Sequence, residues 1–371
     1  MAQKLNLGVL LGGRSCEHEV SVTSAKSLLE AIDREKYNVY LIGIDKQGHW
    51  HLSDSLISLV NEKAVSSLPS PTLDNTVTMA LHHQGNISAV ATNDELGGLP
   101  KLDVVFPVLH GTYGEDGTIQ GVFEMAGIPY VGCGVAASAI AMDKALAKQV
   151  FAAAGIPQVP CNIVSRSRWD ADQSGILAEA ERTLGYSTFV KPANMGSSVG
   201  ISKAGDRQAL IKAIFDAFQY DNKIVVEQSM ENCHEVECAV LGNEDPQASV
   251  VGEILPGAEF YDYQTKYIDD KTETLIPATI SPEAAGRVRE LSIEAFRAID
   301  GSGLSRVDFF VSRETGEIYL NEINTLPGFT PISMYPQMWA ASGISYSGLI
   351  DHLIDLALAR QASSANLKRV F

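Results

Sequence analysis

The sequence predicts an α/β protein, doubly wound at its N-terminal end and α+β in its central and C-terminal parts. Three observations lead there. The 371 residues exceed what one ordinary core accommodates and require two or three compact domains. The chain opens on a strand, a glycine turn, a helix and a second strand, which is how a parallel sheet begins. Beyond about residue 160, strand and helix patterns alternate in a smaller unit and then give way to a strand-rich stretch.

The elements follow in order. Residues 5–11 (Leu-Asn-Leu-Gly-Val-Leu-Leu) read as a buried strand ending at Gly12-Gly13. From 21 to 32, Val22, Ala25, Leu28, Leu29 and Ile32 share one helical face. Residues 37–44 are the next strand. Residues 53–100, rich in Ser, Pro, Asn and Gly, read as surface hairpins and loops. Residues 104–109 form another buried strand, ending at His110-Gly111. The pattern then predicts a helix over 117–126, a strand over 128–131 and one continuous helix over 138–154, stopped by Gly155-Ile156-Pro157. A domain boundary is expected in Gly132-Cys133-Gly134. Strands near 161–164, 187–191 and 224–228 alternate with helices near 174–184 and 206–218. A helix over 282–299, a hairpin of 305–311 with 318–323, and further helices close the chain.

Composition excludes several classes. Hydrophobic residues at 45% and charged residues at 20% describe a globular chain, not a disordered one. The formal charge is −17 and no Lys/Arg cluster makes a basic stripe, so no nucleic-acid partner is expected. An acidic chain can still bind a nucleotide where a few cations are focused in one cleft. There is no apolar run of signal-peptide or membrane-span type, so no membrane association is expected. The five cysteines (Cys16, Cys133, Cys161, Cys233, Cys238) are scattered without a CxxC pair, as in a cytoplasmic protein with reduced thiols.

Five segments could carry chemistry. In Val190-Lys191-Pro192-Ala193-Asn194-Met195-Gly196-Ser197-Ser198-Val199-Gly200 a strand delivers a lysine into a loop of small residues. Backbone N–H groups there can approach phosphate oxygens; an ordinary hairpin loop would look the same. The spacing is not that of a P-loop. Arg306-Val307-Asp308 and Glu322-Ile323-Asn324 lie on successive strands. Residues two apart face the same way, so pairing would gather three oxygen ligands of the kind Mg²⁺ prefers, beside one arginine. The alternative is a solvated strand face, but the apolar neighbours place the hairpin in a core, where unpartnered carboxylates are costly. In the segment from Asn324 to Met334, Gly328 permits close backbone approach and Ser333 precedes a helix whose N-terminus could hold a carboxylate; a Pro-Gly turn with a capped helix is the plainer reading. Gly12 to Ser21 lacks the GxGxxG spacing, and Glu17 and Glu19 at the helix start suit an ammonium group or simply complement the helix dipole. His110-Gly111-Thr112-Tyr113-Gly114-Glu115-Asp116-Gly117 follows the carboxyl end of a strand, where open α/β sheets place ligands, although a lone histidine is usually structural.

Taken together the motifs resemble the ATP-grasp superfamily and, within it, the D-alanine–D-alanine ligases. The likeness rests on Gly12-Gly13-x-Ser15-x-Glu17-x-Glu19-Val20-Ser21, His110 through Gly117, Met142-Asp143-Lys144, Val190-Lys191-Pro192 with Gly196-Ser197-Ser198-Val199-Gly200, Phe260-Tyr261-Asp262-Tyr263 with Lys266-Tyr267, Arg306-Val307-Asp308, and Glu322-Ile323-Asn324-Thr325 with Pro327-Gly328. It runs over nearly the whole chain and is weakest between about 53 and 100.

The resemblance implies a three-domain ATP-grasp fold: 1–132, 133–230 and 231–371, with ATP between the last two. It assigns Lys144 and Lys191 to the ATP phosphates, Glu227 and Glu235 to the adenine and ribose region, and Phe260 to the nucleotide site. Lys266 would reach the γ-phosphate from a closing loop. Asp308, Glu322 and Asn324 would bind two Mg²⁺, with Mn²⁺ an alternative ion. Glu17, tied to Ser197 and Tyr267, would hold the ammonium of the first D-alanine, with His110 near its carboxylate. Ser333 and the Met334 backbone would take the second D-alanine's carboxylate. The implied reaction forms a D-alanyl phosphate, which the second amine attacks with Arg306 and the Gly328 N–H at the oxyanion. The family context implies a cytoplasmic homodimer supplying peptidoglycan precursors. The competing readings are a D-alanine–D-lactate ligase, another ATP-grasp enzyme, and an inactive ATP-binding regulatory module.

Overall fold

The structure, a computed structural model, describes residues 3–52, 76–82, 86–91, 101–255, 273–365 and 367–368. Among these residues the strands form three sheets. The first contains β1 (Leu5–Gly12), β2 (Tyr37–Ile44), β3 (Trp50–Leu52), β4 (Thr76–His82), β5 (Asn86–Ala91) and β6 (Val104–Pro107), in the order β5-β4-β3-β2-β1-β6. β1 runs parallel to both β2 and β6, so the carboxyl ends of β1 and β6 open side by side. β3, β4 and β5 add antiparallel strands at the edge, so part of the 53–100 segment extends the sheet as a hairpin. The helix His18–Ala31 buries Val22, Ala25 and Leu28 against this sheet, and Leu29 of the expected face is only partly buried.

The second sheet holds β7 (Cys161–Ser165), β8 (Thr188–Pro192), β9 (Ser202–Ala204) and β10 (Lys223–Gln228) in the antiparallel order β7-β10-β8-β9. The third is also antiparallel: β11 (Cys233–Gly242), β12 (Gln247–Leu255), β13 (Glu273–Leu275), β14 (Gly303–Ser312) and β15 (Ile318–Asn324) lie in the order β13-β12-β11-β14-β15. The helix Pro282–Ala298 covers it through Val288, Leu291, Ala295 and Phe296. The helix Tyr346–Ala365 returns to the first sheet, where Leu349, Ile350 and Leu353 share a core with Leu7 and Phe106. Among the described residues no helix is long and apolar enough to cross a membrane.

Three expectations about local structure need correction. The continuous helix over 138–154 is two helices, Val135–Met142 and Lys144–Ala153. The break lies at Asp143, whose Oδ1 accepts hydrogen bonds from the Ala145 and Leu146 N–H groups, both at 3.1 Å. Asp143 is thus the N-cap of the second helix, and an N-cap takes extended backbone angles. The strand over 128–131 reduces to a single bridge between Val105 and Tyr130. Pro129 has no N–H to offer a neighbouring strand, and Gly127 and Gly132 turn the chain on either side with φ of +65° and +105°. The first helix also begins at His18, three residues before the apolar periodicity.

Candidate active site

The carboxyl ends of β1 and β6, the loop after β8, and the β14–β15 hairpin open onto one cleft, which measures about 1260 Å³ among the described residues. Glu17, His110, Lys144, Lys191, Ser197, Glu227, Glu235, Arg306, Glu322, Asn324, Gly328, Ser333 and Met334 all line it. Asp308 is buried and touches the cleft through Arg306. Phe260, Lys266 and Tyr267 lie outside the described residues.

One wall is cationic. The break at Asp143 sets Lys144 on the first turn of its helix, where its Nζ donates to the Met195 carbonyl at 2.7 Å. Lys191 and Glu227 face each other across β8 and β10. The Glu227 carboxylate bridges two lysines, Lys191 at 2.5 Å and Lys148 at 2.8 Å. Burial alone would raise the Glu227 carboxyl, but the two ammonium groups outweigh it and bring it down to about 2. Burial likewise opposes charge on Lys191, and Glu227 overcomes it to hold the ammonium more firmly than an exposed lysine. Each Glu227 oxygen thus meets one lysine, and Glu227 lines the cleft beside Lys191. The loop after β8 carries consecutive left-handed residues, Ser197 (φ +49°) and Ser198 (φ +58°), followed by Gly200 (φ +73°). Such a backbone turns successive N–H groups toward one side, as anion-binding concavities do, and non-glycine residues keep it only where the surroundings hold it.

The opposite wall centres on Glu17, which is buried at the N-cap position of its helix but spends no side-chain bond on capping. Its Oε1 accepts from the Ser197 hydroxyl, while Oε2 has no hydrogen-bond partner among the described residues. Two glycines make room for it: a Cβ at Gly111 would lie 2.5 Å from Oε2, and one at Gly196 2.9 Å. His110 Nδ1 lies 3.0 Å from the Leu326 carbonyl, which can only accept, so the proton is on Nδ1; Nε2 then accepts from Ser24 at 3.3 Å. Burial lowers the His110 pKa more than the Glu17 charge raises it, so the ring is neutral at neutral pH.

On the floor, β14 and β15 pair Arg306 with Asn324 and Asp308 with Glu322. The two strands therefore pair as the residue spacing requires, with Arg306, Asp308, Glu322 and Asn324 on one face. The Arg306 guanidinium forks onto Asp308, and its Nε also lies 3.1 Å from Glu237 of the adjacent strand β11. Burial disfavours its charge, yet the surrounding carboxylates raise its pKa well above the ordinary arginine value. Among the described residues no three His, Cys, Asp or Glu side chains assemble a cation site by themselves. The hard-oxygen set is Asp308, Glu322 and Asn324, whose Oδ1 already accepts from the Leu326 N–H at 3.0 Å. At the far end, a Cβ at Gly328 would sit 3.0 Å from Ser333 Oγ. Ser333 precedes the helix Met334–Ala341 but does not cap it with its side chain; its Oγ accepts from the Thr330 N–H at 3.1 Å.

Three buried charged residues here were not singled out from the sequence: Lys148, Glu237 and Glu115. Lys148 lies one helical turn after Lys144, a spacing that places both on one face. Glu237 sits between the buried Val236 and Cys238 at the start of an apolar run, the pattern that could have marked it. Glu115 is in the His110–Gly117 motif but had no assigned role.

Known proteins similar to this chain point to one family. Residues 6–133 match the family model described as D-ala D-ala ligase N-terminus, and residues 150–355 match D-ala D-ala ligase C-terminus. A D-alanine–D-alanine ligase of Heliobacterium modesticaldum is 50% identical over 96% of this chain and 95% of its own length. One from Acetivibrio thermocellus is 48% identical over 97% of each. The solved D-alanine–D-alanine ligase of Coxiella burnetii superposes with a TM-score of 0.84 at 35% identity, covering 98% of this chain and 97% of that one. The VanG D-Ala:D-Ser ligase of Enterococcus faecalis gives 0.81 at 36% identity, covering 96% and 100%.

Proposed function

The chain belongs to the D-alanine–D-alanine ligase family, and from that premise we infer how its cleft joins two D-alanines at the expense of ATP. The observation that carries this reading is the loop after β8. Its Met195 carbonyl receives Lys144 and, two residues on, its Ser197 hydroxyl binds Glu17. One short loop thus touches a phosphate-type lysine and an ammonium-type carboxylate, which brings a nucleotide's end and an amino acid together.

In this reading Lys144 and Lys191 hold the ATP phosphates, with Glu227, paired with Lys191, and Glu235 on the adenine and ribose side. Glu17, oriented by Ser197, takes the first D-alanine's ammonium, and neutral His110 lies near its carboxylate. That carboxylate attacks the γ-phosphorus, ADP leaves, and a D-alanyl phosphate results. The second D-alanine, its carboxylate at Ser333 and the Met334 backbone, attacks the acyl carbon with its amine. Arg306 and the Gly328 N–H stabilise the oxyanion, and phosphate departs with the former carboxylate oxygen. Asp308, Glu322 and Asn324 suit Mg²⁺, or Mn²⁺, which would neutralise charge on the transferring phosphoryl group when bound. Phe260, Lys266 and Tyr267 complete the nucleotide and ammonium sites. We further read the chain as divided at 132 and 230, acting as a homodimer in the cytoplasm on the route to peptidoglycan precursors.

The experiment is an incubation with ATP, Mg²⁺ and D-alanine in which phosphate and dipeptide are measured together. One phosphate per D-alanyl-D-alanine is expected, with little product from L-alanine. Because the VanG neighbour is a D-Ala:D-Ser ligase, D-serine and D-lactate are offered in competition. A preference for either over D-alanine would overturn the assignment of the second substrate, and no turnover despite ATP binding would favour a regulatory module.

A further inference from the structure

Glu115 is a second carboxyl at the ammonium pocket, and the mechanism above does not use it. Its Oε2 accepts the Gly111 N–H at 2.8 Å, while its own N–H donates to the Gly111 carbonyl at 2.9 Å. This reciprocal pair closes the turn after His110. Gly111 is also the residue against which Glu17 packs: its φ is +71°, and a Cβ there would meet Glu17 Oε2 at 2.5 Å. The two carboxyls therefore flank one glycine. Both side chains are more than nine-tenths buried, and each has one oxygen, Glu17 Oε2 and Glu115 Oε1, without a hydrogen-bond partner among the described residues. Both residues line the cleft.

Two buried anions so close would repel, and an unpartnered anionic oxygen is costly away from water. We propose that Glu115 is a positioning residue for the first D-alanine subsite: an uncharged acid that holds the Gly111 turn in place and leaves Glu17 the single anion facing the substrate's ammonium. The proposal rests on the reading of Glu17 given above. The charged groups facing Glu115 are Glu17, Arg306 and Glu322. Burial and the Glu17 charge raise its pKa well above the usual carboxylate value, exceeding the opposite pull of the Gly111 N–H and Arg306.

The test compares Glu115→Gln with Glu115→Ala. Glutamine keeps an acceptor for the Gly111 N–H and is always neutral, so E115Q recovers most of what E115A loses. E115A is expected to raise KM for D-alanine about tenfold, the equivalent of one lost buried hydrogen bond, with KM for ATP unchanged. A second readout needs no substrate. A carboxyl whose folded pKa is raised stabilises the fold below its unfolded pKa and loses that contribution as pH rises toward the folded value. The Tm of E115Q minus that of wild type therefore climbs by on the order of 2 °C per pH unit as pH rises from the ordinary carboxyl value of 4.5 toward the raised folded one. A Tm difference that is flat with pH, an E115Q as impaired as E115A, or an E115A with normal KM would each overturn the proposal. A Glu17→Gln variant separates the failures: unchanged D-alanine KM there would sink the ammonium reading, while the Tm measurement still reports on Glu115.

Discussion

Arg306 and Asp308, two residues apart on one face of β14, are joined by parallel hydrogen bonds, Nε to Oδ1 at 2.8 Å and Nη2 to Oδ2 at 2.7 Å. The fork fits a guanidinium and a carboxylate, and a lysine ammonium cannot reproduce it. Glu237, paired with Asp308 across β11 and β14, steadies the same arginine from the other side. Arg306→Lys should accordingly lower kcat by about 10²–10³-fold, the usual cost of losing one oxyanion donor, and leave KM for ATP within a few-fold. Steady-state kinetics with dipeptide detection would show this; a fall in ATP affinity with unchanged kcat would place Arg306 on the nucleotide instead.

If Asp308 serves the proposed metal site, a cation and Arg306 would draw on the same carboxylate. Asp308→Asn should raise the Mg²⁺ concentration for half-maximal turnover roughly 10–100-fold, as weakened ligand shells do. A Mg²⁺ titration at saturating ATP measures it. An unmoved midpoint would mean that Asp308 serves only to orient Arg306.

Gly111 is both left-handed, at φ +71°, and pressed against Glu17 Oε2. Gly111→Ala adds a methyl where no space exists, displaces the carboxylate and strains the turn. D-alanine KM should rise by on the order of tenfold or more, while binding of a non-hydrolysable ATP analogue, on the far wall, stays near normal. Equal losses of both would point to a global defect.

Glu227 lies buried between Lys148 and Lys191. Glu227→Gln deprives two buried ammonium groups of the carboxylate they contact and should cost roughly 3–5 kcal/mol of stability. The wild-type carboxyl titrates near 2 against an ordinary 4.5. Because its folded pKa is depressed, its contribution is complete above about pH 4.5 and fades as pH falls toward 2. Denaturant midpoints of the two proteins should keep a constant gap from pH 7 to 5 and converge below. A gap that already shrinks between pH 7 and 5 would contradict this account of the triad.

Much of the fold is legible in the residues because apolar periodicity reports burial. β2 spans the residues its pattern marks, and the β14–β15 hairpin sets Asp308 opposite Glu322 as the alternation requires. The break at Asp143 was hidden because alanines continue the helical pattern on both sides, and only the capping aspartate signals the interruption. Pro129 lies in an apolar run that reads as a strand, yet it has no N–H for a ladder. At the site, spacing identified the residues that face the cleft but not how they partner one another. That Glu227 is spent on two lysines, Arg306 on two carboxylates, and Glu115 on Gly111 depends on long-range approach, which no local pattern encodes.

In the proposed reaction one cleft activates a D-alanine carboxylate with the γ-phosphate of ATP. The most direct test is to supply D-alanine labelled with ¹⁸O in its carboxylate and follow the label during dipeptide synthesis. One ¹⁸O is expected in inorganic phosphate for each D-alanyl-D-alanine formed, with ADP as the other product. Label appearing in AMP, or phosphate released without label while dipeptide accumulates, would contradict it.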